Sequence, residues 1–390
     1  MRSSACAREK CRSRLTLLLA FASLIVYNMR SACKAFVGSA IGNSERILVT
    51  VAYAENLGNG GVLDQHNLEY FFQVALTETV PGTIDIHAKV DYIVVVNGKL
   101  CTPCDATLRY LIDSGRVNPA RVNVLYRSNV GMDFGAYSEA VKYVQYHKPL
   151  LYAYFVFLNS SLRGPFMPKW TPRSVHFTDT LIDFMRTDHD VKLVSSFVSC
   201  LHTPEPFPGP VAESLFFAVS RDALSWLQSD GILDVRRNKS DIILNGEYGL
   251  MHAILKRGYK AENLLSRYRI GLDWSDTKHH LCNDCRHSSR RGSLEGRISA
   301  SPFETVFVKA SWCVRSAEIG IMSSWFTRLA SGAPGTEGFF DEDGWRRGIS
   351  VEGTSGKLGT LPPDVPMDYC SNGNFNALVV NSVIDSVDAQ

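Results

Sequence analysis

The stretch Arg46-Ile-Leu-Val-Thr-Val-Ala52 is a run of β-branched and other apolar residues that follows a polar segment, and it predicts a buried strand. After it, apolar residues recur at helical spacing over residues 63–76, until Pro81-Gly82 ends the pattern. A buried strand followed by an amphipathic helix is the unit from which parallel sheets are built. The body of the chain is therefore predicted to begin as an α/β domain.

The same alternation continues along the chain. Further strands are predicted at residues 91–97, 121–127, 151–158, 191–198 and 213–219, and helices at 106–112, 134–146 and 246–257. Continuous apolar strands interleaved with amphipathic helices indicate a three-layer α/β architecture whose mainly parallel sheet is covered on both faces. Ligands of such sheets bind beyond the carboxyl ends of the strands.

Composition and charge agree with a folded globular body. The 390 residues include 41 Lys and Arg against 39 Asp and Glu, so the formal net charge is +2. This balance gives no electrostatic case for nucleic acid as a partner. The hydrophobic share of 45% and the charged share of 21% exclude a wholly disordered chain, a collagen and a multi-span membrane protein.

The N-terminal residues have the pattern of a targeting segment. A basic leader over residues 1–14 precedes a charge-free apolar run over 15–29, which predicts a signal-anchor; a cleaved signal peptide processed near 33–35 is the alternative. A helix of that length reaches only about 22 Å, short of the roughly 30 Å hydrocarbon core. The favoured prediction is a single-pass type II membrane protein of the Golgi or another secretory compartment, with the membrane bound through 15–29 and a short stem over 30–45. A secreted protein is the alternative.

The cysteines fit an oxidising compartment. Eight of the ten lie beyond the leader, an even number suited to disulfides. Cys101-Thr-Pro-Cys104 and Cys282-Asn-Asp-Cys285 are also C-x-x-C pairs of the kind that bind zinc, but they are too far apart for a zinc ribbon. Disulfides are the favoured prediction.

The C-terminal part has a different composition. From about Ser331 the chain is rich in Gly, Pro, Ser and Asp. Such a segment buries too little apolar surface to fold, so residues 313–390 are predicted to be a mostly disordered tail that follows a domain over 46–312.

The most informative motif lies where a predicted strand meets a predicted helix. In Arg127-Ser-Asn-Val-Gly-Met-Asp-Phe-Gly-Ala-Tyr137, two glycines permit a tight turn and close approach of a ligand to the backbone. Three later stretches complete an ordered set: Phe157-Leu-Asn-Ser-Ser-Leu-Arg-Gly-Pro165, Glu247-Tyr-Gly-Leu-Met-His-Ala-Ile-Leu-Lys-Arg-Gly258 and Pro302-Phe-Glu-Thr-Val-Phe-Val-Lys309. The set resembles the rhamnan synthesis protein F-like glycosyltransferases and related eukaryotic proteins.

The resemblance implies a GT-A-like domain that binds a nucleotide-sugar donor at the carboxyl edge of the sheet. It also implies transfer of the sugar to a glycan or glycoprotein acceptor. Glu247 is the residue that it implies as the base, which would make the transfer inverting. Against this role, the helix dipole favours a carboxylate in a first helical turn in any case, and Tyr248 stands where the family pattern has an aspartate.

The resemblance also indicates which residues bind the donor and its diphosphate. They are Arg127, Asn129, Gly131, Asp133, Gly135, Asn159, Ser160 and Arg163. Asp133 is expected either to accept hydrogen bonds from donor hydroxyls or to cap the helix that follows. The forked guanidinium groups of Arg127 and Arg163 suit phosphate oxygens, and structural salt bridges are the alternative.

The expected metal site is weakened in this sequence. GT-A enzymes commonly hold Mn²⁺ or Mg²⁺ with an Asp-x-Asp motif at the end of the fourth strand, where this chain has Asn159-Ser160-Ser161. Three alternatives follow: other groups hold the metal, with Asp133 and His279 as candidates; cationic side chains replace it; or the protein has lost catalysis and only binds sugar.

Two further expectations follow from the same residues. The sequon at Asn159 would be buried, so Asn238 is the expected site of N-glycosylation. A secreted structural protein with disulfides is a third class of function, which explains the cysteines but not the motifs at the strand ends.

Overall fold

The computed structural model describes residues 45–55, 61–77, 89–172, 174–201, 209–280, 286–294, 297–310, 319–320, 322–323 and 325–327. The predicted leader and anchor, residues 30–44 of the predicted stem, and residues 313–318, 321, 324 and 328–390 of the predicted tail lie outside the described residues. Within the described ranges no helix has the length and apolar character needed to span a bilayer.

A seven-stranded sheet forms the centre of the fold. Its strands are β1 (Arg46–Tyr53), β2 (Val90–Asn97), β3 (Val122–Arg127), β4 (Tyr152–Asn159), β6 (Val191–Ser195), β9 (Phe216–Ser220) and β10 (Lys260–Asn263), in the spatial order β10-β6-β9-β4-β1-β2-β3. All are parallel except β9, which runs antiparallel to β4 and β6. The prediction of a mainly parallel sheet is confirmed.

Two short strand pairs lie beside this sheet. Strand β5 (Leu162–Arg163) pairs with β11 (Val308–Lys309), and β7 (Val198–Cys200) pairs with β8 (Pro210–Ala212), both antiparallel. The first pair connects the end of β4 with a segment near the C-terminal end of the described chain.

Helices cover both faces of the sheet. They are α1 (Gly61–Ala75), α2 (Arg109–Asp113), α3 (Met132–His147), α4 (Asp179–Thr187), α5 (Arg221–Ser229), α6 (Lys239–Ile242), α7 (Tyr248–Leu255) and α8 (Pro302–Thr305). On β1, Ile47 and Val49 face a core shared with α1, α2 and α4, whereas Leu48 and Ala52 face a second core shared with α3, α5 and α7. Alternate residues of one strand thus serve two cores, which confirms the predicted three layers.

The helix that carries Glu247 differs from the prediction. The helical run begins at Lys239, where the side chain of Asn238 accepts a hydrogen bond from the amide of Ser240 at 2.8 Å. It continues through a π-helical turn, Ile243–Glu247, into α7. The prediction that Glu247 opens a helix is therefore wrong, and the helix dipole does not explain a carboxylate at this position. Turns of this kind inside α-helices occur frequently at functional sites.

Candidate functional site at the carboxyl edge of the sheet

The carboxyl ends of neighbouring strands place a row of polar residues at one edge of the sheet. Asn97 at the end of β2 lies beside Arg127 at the end of β3, and Asn159 at the end of β4 lies beside Ala52 of β1. Both asparagines are buried. This edge is where ligands of open parallel sheets bind, and we take it as the candidate site.

Arg127 holds the turn between β3 and α3. Its guanidinium donates to the side-chain oxygen of Asn97 and to the carbonyl oxygen of Val130, each at 2.6 Å, while Asn97 donates to the carbonyl oxygen of Met132 at 3.1 Å. Desolvation lowers the pKa of Arg127. The guanidinium group that was expected to bind phosphate therefore donates hydrogen bonds to residues of the protein itself.

The glycines of this turn have distinct roles. Gly131 precedes α3 with φ of 83°, a left-handed conformation that favours glycine, and Gly135 lies against the guanidinium of Arg127. Asn129, also a predicted donor contact, is exposed on the turn.

Asp133 does not cap α3. The helix begins at Met132, and one carboxylate oxygen of Asp133 instead accepts a hydrogen bond from the side-chain nitrogen of Asn159 at 2.9 Å. The capping alternative is therefore wrong. Desolvation raises the pKa of Asp133, and the positive charge of Lys309 and the Asn159 hydrogen bond only partly oppose that shift.

A continuous hydrogen-bond chain extends from Asp133 across the end of β4. The side-chain oxygen of Asn159 accepts from the hydroxyl of Ser161 at 2.5 Å, and that hydroxyl accepts from Nζ of Lys309 at 2.5 Å. We call Asp133, Asn159, Ser161 and Lys309 the strand-end chain. It occupies the position where the resemblance implies a metal-binding Asp-x-Asp motif.

Lys309 reaches this position through the β5–β11 pair. It pairs with Leu162, which lies two residues after Ser160, so the pairing of β11 with β5 places its side chain near the end of β4. Desolvation lowers the pKa of Lys309, and four carboxyl groups oppose the shift: Asp133, Glu213, Glu247 and Asp64, in order of decreasing effect. The ammonium group therefore lies among acidic side chains from four separate segments.

Asp64 and Glu247 complete the acidic surroundings. Desolvation raises the pKa of Asp64, in the first turn of α1, to about 7. Desolvation followed by repulsion from Asp133 raises the pKa of Glu247. The π-helical turn that carries Glu247 lies close to α3, the helix of Asp133, because Gly246 packs on the ring of Phe134, where an added Cβ would stand 3.2 Å from a ring carbon. A carboxyl group with a raised pKa suits proton abstraction near neutral pH.

Glu213 has a structural role beside the site. Its carboxylate accepts hydrogen bonds from the hydroxyls of Ser199 at 2.6 Å and Ser289 at 2.5 Å, and it lies 3.6 Å from His287. Desolvation would raise the pKa of Glu213, but His287 and these hydroxyls outweigh it and the pKa is lowered. Glu213 thereby ties the segment around 287–289 to the strand pair β7–β8.

Arg163 lies in a buried network outside the strand-end chain. Its Nε donates to the side-chain oxygen of Asn67 at 2.6 Å, a terminal nitrogen donates to Ser323 at 3.2 Å, and the guanidinium lies 5.6 Å from the ring centre of Tyr70. Asn67 in turn donates to the backbone oxygen of Ser160 at 2.8 Å. Desolvation lowers the pKa of Arg163 to about 10. The structure thus places Arg163 and Ser160 behind the site as supports.

Packed residues continue beyond the predicted domain boundary at 312. Ile319 is buried with Tyr70, Phe166 and Val308, and Ser323 is buried against Arg163. Part of the segment predicted as tail therefore packs on the domain.

The remaining predicted residues lie apart from the strand-end chain. His279 ends a 3₁₀ turn, Thr277–His279, and its Nδ1 is 2.5 Å from the carbonyl oxygen of Asp273. Asn238 is exposed, which suits its predicted glycosylation, whereas the sequon residue Asn159 is 5% exposed. Cys101 and Cys104 form a disulfide, so this pair does not supply zinc ligands.

The strand-end chain does not fit Mn²⁺ or Mg²⁺. These ions prefer several charged oxygen ligands, and the described residues contain no group of three or more His, Cys, Asp or Glu side chains that could hold a metal. At the end of β4 the donors are a neutral amide and a hydroxyl, and an ammonium group already lies 2.5 Å from that hydroxyl. The positive charge of Lys309 opposes a divalent cation at this position, whereas the four carboxyl groups around it attract one.

No family model matches the chain, and no curated protein is similar to it in sequence. Among solved structures, it is similar to a mannosyltransferase, PcManGT from Pyrobaculum calidifontis, in complex with GDP-Man and Mn²⁺. The two are 12% identical, the match covers 88% of each chain, and the TM-score is 0.35. Similarity of this size does not transfer the ligands of that protein to this chain.

Sequence reasoning missed two residues of the site. Lys309 ends the quoted stretch from Pro302, where a lysine directly after the apolar Val306-Phe-Val308 was the available signal. Asp64 carried no signal, because an acidic residue in a first helical turn is common.

Proposed function

We propose that the protein is a glycosyltransferase that moves a sugar from a nucleotide-sugar donor to a hydroxyl group of a glycan or glycoprotein. The single observation that carries the proposal is the meeting of Glu247, whose pKa is raised, with the strand-end chain at the carboxyl edge of a mainly parallel sheet. The resemblance of the motifs to GT-A-like enzymes supports the same assignment.

The proposed reaction requires two bond changes at the anomeric carbon of the sugar and one proton transfer from the acceptor hydroxyl. The acceptor oxygen forms a bond to the anomeric carbon of the sugar while the bond from that carbon to the diphosphate oxygen breaks. The electron pair of the broken bond leaves with the nucleoside diphosphate, and the proton of the acceptor hydroxyl passes to the carboxylate of Glu247. Attack from the face opposite the leaving group inverts the anomeric centre.

The surrounding residues have supporting roles in this reaction. Asp133 accepts hydrogen bonds from donor hydroxyls, and the turn fixed by Arg127 shapes the floor of the donor site. Burial around Glu247 keeps water from competing with the acceptor and raises the driving force for taking its proton.

The cellular setting is part of the proposal. The basic leader and the apolar run over 15–29 support a type II membrane protein of the Golgi or another secretory compartment, and secretion after cleavage is the alternative. The disulfide between Cys101 and Cys104 supports an oxidising compartment.

A second candidate is a sugar-binding relative without catalysis. It is favoured by Tyr248, which stands where the family pattern has an aspartate, and by the neutral Asn159. Turnover separates the two candidates, because both bind a donor and only the enzyme releases nucleoside diphosphate when an acceptor is supplied.

The experiment that tests the proposal measures nucleoside diphosphate release by the full-length chain with a panel of UDP- and GDP-sugars and glycan acceptors. We expect release with one donor, a loss of about 100-fold or more in Glu247→Gln, and unchanged donor affinity in that variant. Glu139→Gln, an exposed carboxyl on α3, is the matched control and retains activity. Full activity of Glu247→Gln would remove Glu247 as the base, and donor binding without release by the wild type would favour the second candidate.

A further inference from the structure

Glu55 lies just beyond the carboxyl end of β1 and joins three segments of the chain. One of its carboxylate oxygens accepts hydrogen bonds from the side chain of Gln65 at 3.0 Å and from the hydroxyl of Thr102 at 2.6 Å. The other accepts from the hydroxyl of Tyr53 at 3.1 Å and from the amide of Thr102 at 2.6 Å. We call Glu55, Tyr53, Gln65 and Thr102 the Glu55 clamp. It connects the end of β1 with α1 and with the segment that follows β2.

The carboxylate of the Glu55 clamp is a charged acceptor. Desolvation would raise the pKa of Glu55, but the hydrogen bonds from Thr102, Tyr53 and Gln65 outweigh it and the pKa is lowered. Hydrogen bonds to an ionised acceptor are stronger than those between neutral groups. Thr102 also starts a helical run, so its amide has no acceptor within its own helix and Glu55 supplies one.

A disulfide fixes the residue that supplies two of these hydrogen bonds. Thr102 lies between Cys101 and Cys104, and their disulfide closes the loop over 101–104. Both cysteines are buried in the core shared with α1 and β2, and the ring of Pro103 restricts the backbone between them. The closed loop therefore holds the amide and the hydroxyl of Thr102 against Glu55.

Gln65 extends the Glu55 clamp to the helix that brings Asp64 into the site. It directly follows Asp64 in α1. The charges of Lys309 and Asp133 act on the pKa of Asp64, so its carboxyl group lies near the strand-end chain, while the side chain of Gln65 reaches Glu55. The position of the first turns of α1 thus decides whether both contacts are made.

The start of α1 is attached to the sheet at a second point. Asn67 donates to the backbone oxygen of Ser160 at 2.8 Å, beyond the end of β4. Strands β4 and β1 are neighbours, so α1 is tied to the carboxyl edge at two adjacent strand ends. Segments that follow strands are mobile unless they are held, and a binding site needs its residues placed to within about 0.5 Å.

We propose that Glu55 is a positioning residue for donor binding and that the disulfide between Cys101 and Cys104 completes its hydrogen bonds. The inference rests on the proposed glycosyl transfer and concerns what holds the donor site ready before the donor arrives. Glu55 takes no part in the bond changes of the reaction. Without the Glu55 clamp only a fraction of the molecules is competent to bind, and the apparent dissociation constant rises by the inverse of that fraction. Bound donor restores the arrangement, so turnover at saturation is kept.

The test measures donor binding and steady-state kinetics of the full-length chain. UDP and GDP are the calorimetric probes, and the nucleotide sugar that turns over is the substrate. We expect Glu55→Ala to raise both the dissociation constant and the KM for the donor roughly 10-fold and to leave kcat within about twofold of the wild type. A purely structural role would instead lower kcat by reducing the folded fraction, with KM unchanged. Thr102→Ser keeps the amide and the hydroxyl and retains the wild-type affinity.

Glu304→Ala is the matched control. Glu304 also accepts hydrogen bonds from the amide and the hydroxyl of a single residue, Ser266, each at 2.6 Å. This pair lies beyond β10, the strand at one end of the sheet, and not beside β1. We expect the KM for the donor to stay at the wild-type value in this variant. A rise equal to that in Glu55→Ala would overturn the positioning role of Glu55.

Combined variants test whether the disulfide acts through Glu55. The double variant Cys101→Ser, Cys104→Ser releases Thr102, and we expect it to raise the KM for the donor roughly fivefold when Glu55 is present and less than about twofold in Glu55→Ala. Thr102→Val keeps the disulfide and removes only the hydroxyl, so it supplies the same comparison if the double variant unfolds. Equal rises with and without Glu55 would overturn the role of the disulfide.

The outcomes separate this inference from the function on which it rests. If folded Glu55→Ala binds UDP, GDP and the donor as tightly as the wild type, the positioning role is overturned while the glycosyltransferase proposal stands. If folded wild-type protein binds no nucleotide and no nucleotide sugar, with or without Mn²⁺, both are overturned.

Discussion

Gly135 lies beneath the guanidinium of Arg127, so closely that an added Cβ would stand 2.8 Å from each terminal nitrogen and would overlap the carbonyl oxygen of Val130. The absence of a side chain at this position lets Arg127 bridge Asn97 and Val130 across the start of α3. The geometry of the turn between β3 and α3 therefore depends on a glycine with an ordinary helical backbone.

Gly135→Ala is expected to lower the free energy of unfolding by roughly 3 kcal/mol, because the backbone oxygen of Val130 cannot move aside as a flexible side chain could. Gly258→Ala is the comparison: its φ of 76° strains alanine, but an added Cβ meets nothing within 4 Å, and its cost is about 1 kcal/mol. Urea denaturation of both variants measures the difference. Equal costs would show that the contact with Arg127 and Val130 does not constrain residue 135.

Asp64→Asn is expected to stabilise the protein at pH 8 and to have little effect near pH 4. Burial raises the pKa of Asp64 from 3.8 to about 7, so ionisation costs more in the folded state than in the unfolded state. The stability that the protonated carboxyl contributes is present below pH 3.8 and is lost as pH rises through 7. The gain from asparagine therefore grows between pH 4 and pH 7, to about 4 kcal/mol at most. Measuring the melting temperatures of the wild type and of Asp64→Asn across this pH range checks the prediction. A difference in melting temperature that does not change with pH would contradict it.

The rate of transfer is expected to fall on the acidic side of its pH profile with a midpoint above 4.5, the ordinary pKa of a glutamate. The base must be ionised to take the acceptor proton, and burial and Asp133 raise the pKa of Glu247. Measuring kcat/KM against pH in the wild type and in Asp64→Asn assigns this limb. If ionisation of Glu247 causes the fall in kcat/KM at acidic pH, this fall remains in Asp64→Asn. Its disappearance in that variant would assign the fall to Asp64 instead.

Arg163→Lys is expected to destabilise the protein by about 2 kcal/mol or more and to leave the KM for the donor unchanged. A lysine keeps the charge but loses the fork that reaches Asn67 and Ser323 in a buried site. Denaturation and steady-state kinetics on the same preparation check both parts. An increased KM with unchanged stability would return Arg163 to the role of a phosphate ligand.

The order of strands and helices could be predicted from local sequence because buried strands and helices place apolar residues at characteristic spacings. Continuous apolar runs marked the parallel strands, and Asn159-Ser160-Ser161 was correctly expected at the end of the fourth strand. The helix at Glu247 was placed wrongly, since the polar Asn238-Lys-Ser-Asp241 does not continue the apolar spacing, although Asn238 is a good N-cap.

The sequence by itself determined the α/β alternation, the glycine turn after β3 and the neutral residues where a metal motif was expected. Only the tertiary structure decided which charged side chains lie near the end of β4, where the metal motif was expected. Lys309 meets Ser161 across 148 residues of chain, and Asp64 and Glu247 approach from two further helices. Such meetings are set by strand pairing and helix packing, and the resulting pKa values are set by desolvation, so neither is encoded in the spacing of residues along one segment.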